Sequence, residues 1–409
     1  MAHDARALAL SVLEKVGRGE LAAPTLDLAL ERSPLERQER GLATDLVYGT
    51  LRRLRWLDAS LAPRLRRPEG LPPWLRWLLR AGAYEALFTP RPRHAVVHAW
   101  VETAKKRSSR LAGLANAVLR RVELIEAPEP VRLGVPDFLW KEWRARFAPL
   151  DWVEALNEPA PLWLTLYPGG RELLEAQGIA YTPGPIPDAV RVEGRALREI
   201  EAFARGRAQP QNPASLFAAQ LLDPPAGARV LDLAGGAGLK AAWLAARGAA
   251  VTSVDANARR QEEGRKNLRR LGLEVAFVRH DLTQPLELRA PYVLLDAPCL
   301  GTGTLRGHPE LRMRLHPEDL PASAARQRRL LENAALAVEE GGVLVYAVCS
   351  LTQAEGEEQI ARFVEAHPEF SAERFEAPLP VWSTGHGAYV RPTEGLDGFY
   401  YARLRKAYG

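Results

Sequence analysis

Residues 229–255 read RVLDLAGGAGLKAAWLAARGAAVTSVD. The run RVLDL (229–233) is β-rich, the glycines after it make a turn, Lys240–Arg247 is an apolar helical stretch, and AVTSV (250–254) is a second β-rich run. Strand, turn, helix and strand in that order form a βαβ unit, whose two strands lie parallel. The alternation continues through EVAFV (274–278), YVLL (292–295) and VLVYAV (343–348), with helical stretches at Asn257–Leu271 and Ser323–Glu339. The expectation is a Rossmann-like α/β domain over residues 206–409. Its tail, AYVRPTEGLDGFYYARLRK (388–406), has two β-rich pieces around a glycine-containing turn, suited to an antiparallel hairpin at the sheet edge.

N-terminal to this domain the pattern changes twice. Residues 128–205 mix helix candidates (Asp137–Phe147, Gly170–Gln177) with strand candidates (Trp163–Leu166, Ala189–Val192) among many prolines, which reads as a small α+β subdomain or linker. Residues 1–127 place apolar side chains three and four apart in ARALALSVLEKV, TLDLALERS, WLRWLLRAGAYEALF and RLAGLANAVLRRVELIEA, with no strand-like alternation. That is an all-helical bundle.

Composition narrows the function. At 409 residues, 47% hydrophobic and 26% charged, the chain can fill cores and still cover its surface with charge, which excludes disorder. No apolar run approaches the roughly 18 residues of a membrane span. Charges interrupt MAHDARALALSVLEKVGRGE where a signal peptide would be apolar. A cytoplasmic monomer with no membrane partner is expected. Two cysteines make no disulfide framework, and no CxxC pair offers a metal site. Residues 1–127 hold 22 basic against 14 acidic side chains, an excess of eight, leaving −3 for the rest. Clusters at Arg52, Arg53, Arg55, Arg64, Arg66 and Arg67, and at Lys105, Lys106, Arg107 and Arg110, suggest an RNA partner, against the plainer reading of solvated helix faces.

In an open α/β sheet the ligand sits at the carboxyl ends of the strands. There the sequence places the loop Ala234, Gly235, Gly236, Ala237, Gly238 with Lys240, then Asp255, His280-Asp281, Asp296-Ala-Pro-Cys299 and Cys349-Ser350. Both cysteines of the chain fall on this edge. One alone is more often a small buried hydrophobe; two together point to catalysis. The loop also fits a dinucleotide pattern, Gly236-Ala-Gly238-Leu-Lys-Ala241, so a nicotinamide dehydrogenase competes. That reading leaves the cysteines unexplained. Carboxylates closing successive strands suit an adenosine ligand without a pyrophosphate, Asp255 holding the ribose and Asp281 accepting from the adenine amine, as S-adenosylmethionine would require.

The blocks DAPCLGTGTLRGHPELRMR (296–314) and VYAVCSLTQAEGEEQI (345–360) resemble the paired cysteine motifs of the RNA cytosine-5 methyltransferases, the Nol1/Nop2/Sun family. RAQPQNPASLFAAQLL (207–222) resembles the segment ahead of that family's cofactor fold, and ERGLATDLVYGTLRR (39–53) with LANAVLRR (114–121) resembles a NusB-like RNA-binding domain. The combination is similar to the bacterial Sun (RsmB) type. It implies a class I methyltransferase domain behind a NusB-like bundle, acting on a cytosine of small-subunit ribosomal RNA. The chain departs from the family loop DLCAAPGGKT: Ala234 replaces a cysteine, Ala237 the proline, Leu239 a glycine and Ala241 the threonine, with Lys240 retained. Arg306-Gly307 stands where two arginines precede His-Pro.

The resemblance implies that Cys349 attacks carbon 6 of cytosine, that carbon 5 then takes the methyl group, and that Cys299 helps remove the carbon 5 proton. Asp296 holds the cytosine edge with Lys240 as a second polar contact. The cofactor contacts would be the loop residues with Lys240, Asp255, Arg260, Asp281 and Asp296. The base must leave its stack to reach these groups, which favours a single-stranded target. The rival is a non-catalytic ribosome-assembly factor that binds RNA and has lost its cofactor through the altered loop.

Overall fold

The computed structural model describes residues 4–409; residues 1–3 of the expected N-terminal domain lie outside the described residues. The chain divides into two compact units, the first running to Pro159 and including Leu305–Leu315, the second comprising Ala160–Thr304 and His316–Gly409.

The first unit is helical: α1 (Ala5–Gly17), α2 (Ala22–Glu31), α3 (Arg37–Arg52), α4 (Leu54–Leu61), α5 (Pro73–Phe88), α6 (Arg93–Lys105), α7 (Ser109–Arg121), α8 (Glu129–Arg132) and α9 (Asp137–Arg146). Asp4 caps α1 by accepting from the Arg6 amide, and Ser108 caps α7 through the Leu111 amide. Leucine and alanine faces close the core around the buried Trp100, whose indole N–H donates to Glu85 at 2.7 Å. Arg6 completes that buried carboxylate with hydrogen bonds of 2.9 and 2.6 Å.

The compact units do not follow the expected divisions at 127/128 and 205/206. α8 and α9 belong to the helical unit because Arg55 donates to the carbonyls of Pro130 and Val135 and to Asp137. Leu305–Leu315 belongs there because Arg312, fully enclosed, donates to the carbonyls of Arg52, Leu133 and Leu156 and to Asn157 Oδ1, at 2.7–3.1 Å. Burial lowers the Arg312 pKa to about 9.

The second unit holds two sheets. The smaller is antiparallel, in the order β2 (Tyr181–Pro183), β3 (Ala189–Val192), β1 (Leu162–Leu166), β4 (Ala208–Pro210), with helices α10 (Gly170–Ala176) and α11 (Glu201–Ala204). The larger follows α12 (Pro213–Leu222) and comprises β5 (Arg229–Leu233), β6 (Ala250–Asp255), β7 (Ala276–Arg279), β8 (Ala290–Asp296), β9 (Val338–Val348), β10 (Phe370–Glu373), β11 (Val381–Ser383), β12 (Ala388–Val390) and β13 (Tyr400–Lys406). Its helices are α13 (Leu239–Ala246), α14 (Ala258–Leu271), α15 (Asp319–Leu336) and α16 (Glu357–Ala366).

The strand order is β11-β12-β13-β9-β8-β5-β6-β7, with β10 paired to β13. Strands β9, β8, β5, β6 and β7 run parallel, and β13 enters antiparallel beside β9, as the hairpin reading expected. Residues 343–348 are completely buried, which is why this strand reads as an unbroken apolar run. The order reverses between β5 and β8, and the crevice at such a point is where an α/β sheet takes its ligand. No helix among the described residues is long and apolar enough to cross a membrane.

Candidate active site

Parallel pairing of β8 and β9 sets Asp296 opposite Ala347. Cys299 lies three residues past Asp296 and Cys349 two past Ala347, so both leave the sheet at the same edge. Their sulfurs are 3.3 Å apart and unbonded, and both thiols are half-buried. The neighbouring Cys349 sulfur, then burial and the charge of Glu355, push the Cys299 thiol well above its ordinary range. Cys299 therefore holds its proton tightly, and either sulfur can donate in the contact between them. The loops carrying the two cysteines are stitched together: the Gly303 amide donates to the Cys349 carbonyl at 3.0 Å, and the Leu351 amide to Thr302 Oγ1 at 2.8 Å.

Beside the thiols, Lys240 Nζ lies 2.6 Å from Asp296 Oδ2 and 2.9 Å from Ser215 Oγ on α12. The ion pair is mostly enclosed, with side chains 9% and 28% exposed. Lys240 thus serves Asp296 and Ser215; among the described residues it makes no hydrogen bond to either sulfur.

The loop after β5 bends sharply. Ala234 adopts a left-handed φ of 57°, and Gly236 and Gly238 follow at 56° and 69°. A side chain at Gly235 would lie 2.3 Å from Ser253 Oγ and 2.5 Å from Asp232 Oδ2, so glycine is required by close approach. Gly238 then opens α13 with no side-chain cap. The Arg260 guanidinium lies against Gly236, 3.0 Å from where a Cβ would stand.

Asp255 closes β6 and accepts from the Gly236 amide at 2.9 Å and the Asn257 amide at 2.7 Å. Asp281 is exposed and accepts from the amide and hydroxyl of Thr283, which hold its carboxyl below the usual range. Asp232 is wholly buried beneath the loop, where the Ala241 amide is directed toward it, and burial pushes its pKa to about 7. Carboxylates at the ends of β6 and β7 around a glycine cradle fit an adenosine-bearing ligand.

Residues 219–405 match the family of 16S rRNA methyltransferases RsmB/F, and residues 3–124 match the NusB family. The ribosomal RNA small subunit methyltransferase B of Thermus thermophilus is 56% identical over 401 residues, covering 98% of this chain and 97% of that protein. The chain belongs to this methyltransferase B family. The Serratia proteamaculans protein of the same name is 32% identical, covering 90% and 91%. In fold, the chain is similar to the crystal structure of PH0851, with a TM-score of 0.86, 23% identity, and coverage of 99% and 100%. S-adenosylmethionine is the cofactor of this family, and the dehydrogenase reading of the glycine loop falls away.

Cys299, Cys349, Asp296 and Lys240 come together at the switch point, while the loop, Asp255 and Arg260 line the adjoining edge; Asp281 stands further out, engaged in its own turn. Sequence reasoning missed Ser215, Thr302, Gln327 and Glu355. Ser215 stands within the segment quoted ahead of the cofactor fold, and Glu355 within the second cysteine block. Nothing in their residue types marks them. Arg52 and Arg306, at 7% and 2% exposed, and Arg55, tied to carbonyls, are not free surface contacts for RNA phosphate.

Proposed function

We propose that the protein methylates carbon 5 of a cytosine in small-subunit ribosomal RNA through a covalent cysteine adduct. The observation that carries this is the pair of unbonded thiols 3.3 Å apart beside the Lys240–Asp296 pair. A structural disulfide would place the sulfurs near 2.05 Å, and buried inert thiols need no polar edge.

Carbon 5 of cytosine is too poor a nucleophile to take a methyl group unaided, and addition of a thiolate at carbon 6 activates it. Cys349 makes that bond. The Cys299 sulfur, 3.3 Å away, is within hydrogen-bond reach of the Cys349 sulfur. Asp296, oriented by Lys240 and Ser215, holds the cytosine edge as the ring gains electrons. S-adenosylmethionine, when bound by the loop, Asp255, Arg260 and Asp281, supplies an electrophilic methyl group.

Once Cys349 has become a thioether, its share in raising the Cys299 pKa is gone, while burial and Glu355 remain. Cys299 then releases its proton to solvent and takes the carbon 5 proton, and Cys349 leaves as thiolate. The pair returns to one proton on two sulfurs, with one proton released per turnover. The test is bisulfite mapping of small-subunit ribosomal RNA after incubation with enzyme and S-adenosylmethionine. One or more protected cytosines are expected, absent without the cofactor. Calorimetry that detects no S-adenosylmethionine binding would instead support the assembly-factor reading.

A further inference from the structure

We propose that Glu355 is the positioning residue of the thiol pair, its one carboxylate bridging the loops that carry Cys299 and Cys349. This rests on the covalent reading above for its catalytic consequence, though not for its geometry.

Glu355 is completely buried. Its Oε1 accepts from the Leu300 amide at 3.0 Å, Ser323 Oγ at 2.6 Å and Gln327 Nε2 at 3.0 Å. Its Oε2 accepts from Ser350 Oγ at 2.6 Å and Thr352 Oγ1 at 3.0 Å. Leu300 is the residue after Cys299, and Ser350 the residue after Cys349. Gln327 also donates to the Pro298 carbonyl at 3.0 Å, so both neighbours of Cys299 are gripped by this network. The Tyr346 hydroxyl donates to the Glu355 carbonyl at 2.7 Å, anchoring the carboxylate's own backbone to β9.

Five donors converging on one side chain require an acceptor-only group with two oxygens, which an ionised carboxylate is and an amide is not. Burying such a group is unfavourable unless every lone pair is used. A site bears that cost where separation must be held, and here the held quantity is the approach of two sulfurs from different loops. Glu355 touches neither substrate nor cofactor in this role.

The test uses the full chain and reads geometry and chemistry separately. Diamide takes up the two thiol hydrogens and closes a Cys299–Cys349 disulfide at a rate set by sulfur proximity. In Glu355→Ala the closure should slow at least tenfold, single-turnover methyl transfer should fall by a similar factor, and S-adenosylmethionine affinity should stay unchanged. Glu355→Gln keeps the volume and stands in if the alanine variant fails to fold. One of its two positions presents an NH2 to donors, so it should lie between alanine and wild type in both rates. Wild-type closure and transfer rates in either folded variant would overturn the proposal, and so would lost transfer with closure unchanged. Slowed closure in a protein that methylates no cytosine even as wild type would uphold the positioning and sink the covalent reading instead.

Discussion

Asp255, Asp296 and Asp232 lie close together at one sheet edge and are predicted to behave differently, because each has different partners. Asp255 accepts from the Gly236 and Asn257 amides and is proposed to hold the ribose, so Asp255→Ala should weaken S-adenosylmethionine binding about 10- to 100-fold, the worth of hydrogen bonds to a charged group. Asp296→Ala should change that affinity far less and abolish methyl transfer, as titration calorimetry and a transfer assay would show. Asp232 carries a pH effect whose sign follows from burial. Its folded pKa of about 7 exceeds the unfolded value of about 3.9, so the folded chain binds the proton more tightly. The stability this contributes is full below pH ~4, declines as pH rises, and is lost above pH ~7. Asp232→Asn should therefore be more stable than wild type at pH 8 by on the order of 4 kcal/mol, the gain vanishing near pH 4, in cofactor-free denaturant titrations. A gain independent of pH would mean that the buried carboxylate is not the cause.

At the scale of elements, the segment Leu305–Leu315 is held by Arg312, whose donors satisfy three backbone carbonyls and Asn157. Arg312→Leu strips these buried acceptors of the guanidinium, the Leu133 carbonyl keeping its bond from Asn157 Nδ2, at a cost of about 3 kcal/mol or more, so the melting temperature should fall by several degrees. An unchanged melting temperature would show that water replaces the guanidinium. This segment also explains what the sequence concealed. Parallel strands buried on both faces read as apolar runs, so β5, β6, β8 and β9 were legible within a few residues. The three-residue strands β2 and β4 each contain a proline and carry no alternation. Arg312 and Glu355 act through backbone carbonyls and amides brought from distant parts of the chain, which residue type does not announce. The thiol pair was legible for the opposite reason: with two cysteines in the chain, their common edge stood out.

At the scale of the whole molecule, the eight-charge basic excess of residues 1–127 reads in the sequence as an RNA footprint. Some of the basic side chains are paired with acids of the same segment, Arg6 with Glu85, Arg80 with Asp58 and Arg107 with Glu14, which leaves the net excess intact. A groove of about 900 Å³ between α6 and α7 is lined by Arg93, His94, His98, Asn116 and Arg120, with Lys105 paired to Glu102 at its edge. Arg120 is exposed there and Arg93 half-buried. Reversing the charge of Arg93 and Arg120 together should weaken RNA binding and reduce the slope of log affinity against log salt by roughly 1 to 2, as loss of two phosphate contacts requires. An unchanged slope would place the RNA elsewhere. Deleting residues 1–127 is the poorer experiment, because it would strip Arg312 of its Arg52 contact. The central claim, that one cysteine adds to the base and the other clears the proton, is tested most directly on a denaturing gel. Wild type, Cys349→Ala and Cys299→Ala are each incubated with S-adenosylmethionine and ribosomal RNA, and a slowly migrating protein–RNA band is sought. Cys349→Ala should give neither band nor methylation, and Cys299→Ala should give a persistent band. A band from Cys349→Ala and none from Cys299→Ala would reverse the roles, and full activity in both variants would contradict covalent catalysis altogether.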